Sequence, residues 1–539
     1  MKRNLLLLFF IISFLNDALA QAPSFKLWDY RYGGTAAEIL TCFKQTADGG
    51  YILGGHSGSA ISGDKTQPTN GGFDYWVVKL DSLGVMQWDK DFGGFDDDLL
   101  YDVNQTADGG FILGGTSYSG MSGDKSQPSQ GMEDYWIVKI DSLGLKQWDK
   151  TFGGDKTDWL YSVQQTADGG YMLGGYSYSD SSGDKTQPSY GSKDYWIIKT
   201  DEFGNFQWDK AYGGTDDDWF HSLQQTDDGG YILGGFSNSN ISGDKSQVSW
   251  GGYDMWILKI DGAGNKQWDK DIGGTNIDGL FALQQTADKG YILGGNSLSG
   301  IGGDKTQASW GAYDYWIVKT DSLGNKEWDK DFGGTSNEEV FGSINQTTDK
   351  GFLAAGISYS GIGGDKTENN LGIEQSWIVK TDSLGNKQWD KTIFTTGEDE
   401  TGLAIESQDG CYMIANFSSA GVGGYKSQPA WNGVDDYWIV KFCDSIPSAI
   451  LPTSNFRLPI SINPNPFTNN ISIHFEKQNI KHLTIEVRNT LGMILFISEE
   501  NNFYNTYNKT IDLSSLSNGI YFLEITVDGE RTVRKIVKQ

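Results

Sequence analysis

The stretch DWLYSVQQTADGGYMLGGYSYSDSSGDKTQPSYGSKDYWIIKTDEFGNFQWDKAYGG, residues 158–214, decides the fold because the chain repeats it. Its DGGY-type segment begins at Asp48, Asp108, Asp168, Asp228, Asp288, Asp349 and Asp409. Its DYW-type segment places Trp76, Trp136, Trp196, Trp256, Trp316, Trp377 and Trp438 at the same spacing of 60 residues, with single-residue insertions late in the array. A QWDK-type segment adds Trp28, Trp88, Trp148, Trp208, Trp268, Trp328 and Trp389. A fixed period of this length means repeated supersecondary units.

Each unit reads as four strands, here called A to D: LYSVQQT, GGYMLGGYS, DYWIIKT and NFQWDKAYG in the third copy. They are short, aromatic and β-branched runs bounded by Gly/Asp/Asn turn chemistry. Four strands per unit predict one blade of a β-propeller. A stacked solenoid shares such a period but needs atypical capping repeats. This chain instead opens on a lone D strand around Trp28 and closes its last copy after strand C. The orphan D completes the orphan A-B-C, which predicts an all-β, seven-bladed β-propeller whose N-terminal strand closes the last blade and leaves no open sheet edge.

Around that ring, residues 1–20 carry Lys2 and Arg3, an apolar run and Ala18-Leu19-Ala20, the pattern of a secretory signal peptide. The ring is expected over 21–442, a Pro- and Ser-containing linker over 443–456, and a small Ig-like β-sandwich over 457–539. The apolar run is too short to span a bilayer, and no later segment reads as transmembrane.

The net charge of −28 lies in the repeats, which repel phosphate backbones and anionic lipid, so nucleic acid is excluded as a partner. There are three cysteines. Cys411 opens strand B and Cys443 closes strand C of the last copy, so they are expected side by side, either as a disulfide that staples the closing blade or as two thiols. Cys42 reads as a small buried residue.

In the C-terminal segment, PNPF at 464–467, IEVRNTLG at 485–492, IDLSSLSNGIYFLEI at 511–525 and the terminal KIVKQ resemble the type A sorting domain of cargo of the Bacteroidetes type IX secretion system. The resemblance implies recognition by the type IX secretion machinery and a secreted location, extracellular or on the outer cell surface. The repeat is similar to units of about 60 residues in exported propeller-like proteins of the same bacteria.

Tight turns join A to B and C to D, whereas the B-C connection runs to about seventeen residues, and loops that long are usually functional. Recognition is therefore expected on the face carrying the B-C and D-A loops. On it, a carboxylate begins strand A in every copy: Glu38, Asp98, Asp158, Asp218, Asp278, Glu338 and Asp399. Read as a ring at the channel mouth, these would hold a hard cation such as Ca²⁺. Read structurally, each accepts hydrogen bonds from the adjoining Gly-Gly turn.

Fourteen of the 19 tryptophans occupy the two repeated positions. The other five do not repeat: Trp250, Trp310 and Trp431 late in B-C loops, with Tyr190 at the matching place, and Trp159 and Trp219 in D-A connections. Exposed loop aromatics suit contact with an extracellular glycan or protein, and the alternative is that they pin the loops. No metalloprotease, nucleophile-elbow or phosphate-loop motif is present. The expectation is a non-enzymatic binder. The competing readings are a carbohydrate-active enzyme using paired carboxylates on the same face and a passive scaffold.

Overall fold

The computed structural model describes residues 25–443, 461–476, 480–489, 494–503, 506–527 and 530–539. The expected signal peptide and most of the expected linker lie outside these. Seven four-stranded antiparallel sheets account for residues 25–443, six of them in the order A-B-C-D. In the third sheet these are Asp158–Gln165, Tyr171–Ser177, Asp194–Thr200 and Phe206–Tyr212. The seventh takes its fourth strand from Phe25–Tyr32, paired antiparallel with Asp436–Cys443 so that Trp28 faces Lys441 and Arg31 faces Trp438.

The repeated residues explain why the unit recurs. Strand C buries its Trp completely. The indole N–H still needs an acceptor there, and an Asp of strand D supplies one: Trp196 donates to Asp209 (3.0 Å), and Trp438 donates to Asp29 (3.2 Å) from the N-terminal strand. The Tyr before that Trp joins one sheet to the next. Tyr75 donates to the Trp136 carbonyl (2.9 Å), Tyr135 to that of Trp196 (2.9 Å), Tyr195 to that of Trp256 (3.1 Å), and Tyr315 to that of Trp377 (3.0 Å). Tyr437 of the seventh sheet donates to the Trp76 carbonyl of the first (3.1 Å), so the array returns on itself.

The long B-C loops are held down by the buried Lys of their GDK segment, GYK in the seventh. Lys65, Lys125, Lys305, Lys366 and Lys426 lie 5.5–5.9 Å from the centre of their own sheet's strand-C Trp ring. Cys411 and Cys443 are joined in a disulfide, Cα–Cα 4.5 Å, inside the sheet that receives the N-terminal strand. Cys42 is free and buried.

Residues 461–539 form a three-stranded sheet (Ser461–Asn463, Asn470–Glu476, Thr506–Asp512) and a four-stranded one (Ile494–Phe503, Ile480–Arg488, Gly519–Val527, Glu530–Lys538). One apolar core that includes Ile473, Phe475, Ile485, Leu523 and Ile525 lies between them.

Candidate functional site

Strand A of each sheet lies beside strand A of the next, so these strands wall the axis of the ring. Side chains alternate along a strand, and one set of positions turns into the sheet. In the third copy Asp158 and Leu160 are fully buried while Trp159 and Tyr161 are half-buried.

That alternation settles the seven repeated carboxylates. All are fully buried. Asp158 accepts from the Gly154 N–H (2.7 Å) and the Ser179 hydroxyl (3.1 Å), and Asp218 from Gly214 (2.7 Å) and Ser239 (3.2 Å). Asp98 and Asp278 do the same with Gly94 (2.6 Å) and Gly274 (2.6 Å), Glu38 with Gly34 (2.7 Å), and Glu338 with Gly334 (2.7 Å). Asp399 takes the Thr395 N–H (3.1 Å) and hydroxyl (2.9 Å). The seven carboxylates expected as a cation ring at the mouth are placed within the sheets, fully buried and hydrogen-bonded to the chain itself. These groups point into their own sheets and serve the turn before strand A. Among the described residues no group of three or more His, Cys, Asp or Glu is arranged to hold a metal ion. Burial pushes the Asp158, Asp218 and Asp399 carboxyls up to about 7.

The residues that follow them face the axis, and there the copies differ. The upper positions are Ile39, Leu99, Trp159, Trp219, Gly279, Glu339 and Glu400, and two residues further along come Thr41, Tyr101, Tyr161, His221 and Phe281. Trp159 and Trp219 belong to strand A itself rather than to the D-A connections expected from the sequence. Trp159 packs on Tyr101 and Tyr161 of the axial file, and Trp219 lies beneath Lys193 at the end of a B-C loop.

A central cavity of about 920 Å³ results, with two unlike walls. One is aromatic and crosses the second to fifth sheets: Tyr101 meets Tyr161 (5.0 Å between ring centres), Tyr161 meets His221 (4.9 Å), and His221 meets Phe281 (4.8 Å). Above it Trp159 stacks parallel to Tyr176 (6.2 Å), which meets Trp219 edge-on (5.1 Å), and the Lys193 ammonium lies 3.0 Å from the Trp219 ring centre. Burial drives the His221 pKa down to about 3, so its imidazole is neutral.

The other wall is acidic and belongs to the sixth and seventh sheets: Glu339 and Glu400 on strand A, with Glu374 from the end of the sixth B-C loop. Burial, then the charges of Glu374, Asp435 and Glu398, push Glu400 up to about 7. Burial and Glu374 raise Glu339. Glu374 is raised by burial and Glu398, against a hydrogen bond from the Tyr359 hydroxyl.

The aromatic residues of the B-C loops are exposed: Trp250 58%, Trp310 57%, Tyr190 54% and Trp431 38%. Each also spans to the following loop. The Trp310 indole donates to Asp365 (2.8 Å) and that of Trp431 to Asp64 (3.3 Å), where Asn70 makes the equivalent bond to Asp124 (3.2 Å). They pin neighbouring loops while presenting one ring face outward.

Glu339, Glu374, Glu400, Tyr161 and His221 were not singled out from the sequence. For all but Glu374, which lies at the end of a B-C loop, the signal is the difference between copies at alternate positions of strand A. It is legible once the carboxylate that begins strand A is assigned to the sheet side.

No curated protein sequence is significantly similar to this chain. Among solved structures it is similar to sucrose-6-phosphate hydrolase from Lactobacillus gasseri (12% identity, 70% of this chain and 86% of that one, TM-score 0.26). It is also similar to a glycoside hydrolase family 32 protein from Bifidobacterium adolescentis (8%, 95% and 95%, 0.23) and to xylan beta-1,4-xylosidase from Bacillus halodurans C-125 (9%, 94% and 90%, 0.25). Overlaps this slight carry no argument about activity. Residues 461–539 match the family described as secretion system C-terminal sorting domain. No helix among the described residues is long and apolar enough to cross a membrane. The sorting domain of residues 461–539 marks this protein for export by the type IX machinery to the cell surface or the extracellular space.

Proposed function

We propose that residues 21–442 form a seven-bladed β-propeller that, once exported, binds an extracellular saccharide in its central cavity from the end carrying the B-C and D-A loops. In this reading 443–456 is a linker and 457–539 the sorting domain. The observation that carries it is the pair of walls. A file of aromatic faces suits the apolar faces of sugar rings, and carboxylates opposite accept from their hydroxyls, the mixture of apolar surface and few convergent polar groups typical of ligand sites. Trp250, Trp310, Tyr190 and Trp431 on the rim add contacts for a longer chain, and Trp159 and Trp219 guide it inward. Calorimetry of the full-length protein against neutral and charged oligosaccharides tests this. Binding that Tyr161→Ala weakens supports it, and the absence of binding to any of them removes it.

One observation favours a second reading, a glycoside hydrolase. Glu400 held near 7 beside Glu374 is the pairing of a general acid with a second carboxylate. In that case Glu400→Gln abolishes release of reducing ends while binding persists, whereas the binder releases none in either form.

A further inference from the structure

The acidic wall is short of positive charge. Elsewhere around the axis carboxylates are matched: Asp102 by Lys44 at 3.6 Å and Asp217 by Lys193 at 3.5 Å. Among the described residues no lysine or arginine forms an ion pair with Glu339, Glu374 or Glu400. Glu398 and Asp435 add their charge to the same corner. Carboxylates gathered out of bulk water destabilise one another unless a cation joins them. Such an arrangement serves a purpose when the cation arrives with the ligand.

The opposite wall independently points to a ligand. His221 lines the cavity, touches Tyr161, Phe236 and Phe281 through its ring, and makes no hydrogen bond among the described residues. A neutral imidazole with nitrogens that serve no protein partner offers one donor and one acceptor to a hydroxylated guest, and it does not repel a cation. The nearby aromatic faces attract one. A bare metal ion would leave this wall unused.

We propose that the saccharide taken by the central cavity carries free amino groups: an amino-sugar oligomer whose ammonium groups sit among Glu339, Glu374 and Glu400 while its ring faces lie along Tyr161 and His221. This rests on the saccharide reading above and adds its charge.

The test is calorimetry of the full-length protein at about pH 7.5 with four probes: a glucosamine hexamer, its N-acetylated form, a glucose hexamer and spermidine. The expected result is that the glucosamine hexamer binds at least about tenfold more tightly than the other three. Glu339→Gln and Glu400→Gln should each weaken the glucosamine hexamer more than the neutral hexamers and so erase most of that preference. Equal affinity for the amino, N-acetylated and glucose hexamers overturns the charge assignment and leaves the saccharide reading standing. Spermidine binding as tightly as the glucosamine hexamer overturns the saccharide. Silence from all four probes overturns both. The comparison among probes uses the unaltered protein, so a variant that fails to fold does not spare the proposal.

Discussion

The two sides of strand A contrast sharply. Toward the sheet, all seven copies carry a carboxylate and six carry an apolar residue two positions on. Toward the axis, tryptophan, glycine and glutamate occupy equivalent places. The sheet side answers to packing, which is the same problem seven times over. The axis side answers to whatever enters the cavity, which has different needs on each side.

The contrast can be broken from the sheet side first. Trp196→Ala removes a fully buried indole and its hydrogen bond to Asp209, which Thr186 continues to hold. The lost indole volume alone should cost about 3–5 kcal/mol in denaturant-induced unfolding. A loss below about 1 kcal/mol would mean the repeated positions are not the core.

Close behind is the seventh sheet, the one with a covalent tie. Replacing Cys411 and Cys443 together by serine opens a link between residues 32 apart in sequence and should cost about 3–4 kcal/mol. The thermal midpoint under oxidising conditions should then match that of reduced wild-type protein.

A third probe compares sheets with one another. Asp74 and Asp91 share a buried site in the first sheet, as Asp254 and Asp271 do in the fourth and Asp314 and Asp331 in the fifth. The second, third and sixth sheets carry Thr151, Ala211 and Thr392 at the second member's place. Burial raises both members of the first pair, with Asp91 pushed up to about 8. The folded chain therefore keeps a proton that the unfolded chain sheds near pH 4, and stability falls as pH rises from about 4 toward 8. The thermal midpoint should drop between about pH 5 and pH 8, and Asp91→Thr, which copies the second sheet, should flatten that slope.

The smallest effect on stability belongs to the axis. Tyr161→Ala and Glu400→Gln should each change unfolding free energy by no more than about 1 kcal/mol, while saccharide affinity falls about tenfold or more. If Glu400→Gln instead destabilised the fold as Trp196→Ala does, the division between the two sides would be false.

Much of the ring was legible in the sequence because its devices repeat. The DGG turn, the strand-C Trp and the lone strand around Trp28 are local signals that recur, and the pairing of Trp28 with Lys441 follows from the missing fourth strand. The cavity was less legible. Glu338 and Glu339 are adjacent carboxylates, as are Asp399 and Glu400, and which of each pair faces inward depends on strand register. Strand A also carries a bulge after Leu160 and its counterparts that resets the alternation. Trp159 and Trp219 were noticed as departures from the repeat but placed on connections, since a strand boundary shifted by one residue moves a side chain from sheet to axis. Glu374 lies beyond the first single-residue insertion, where copy-to-copy alignment slips.

The pairing of Phe25–Tyr32 with Asp436–Cys443 has a temporal meaning. Among the described strands this one precedes the others yet waits longest for its partner, because the Trp438 indole that reaches Asp29 lies 409 residues downstream. Until that downstream segment has emerged, every intermediate is a crescent with two raw borders, and only finishing the chain removes them. Contacts that span so much sequence form slowly, so closure of the seventh sheet waits on the strand that carries Trp438.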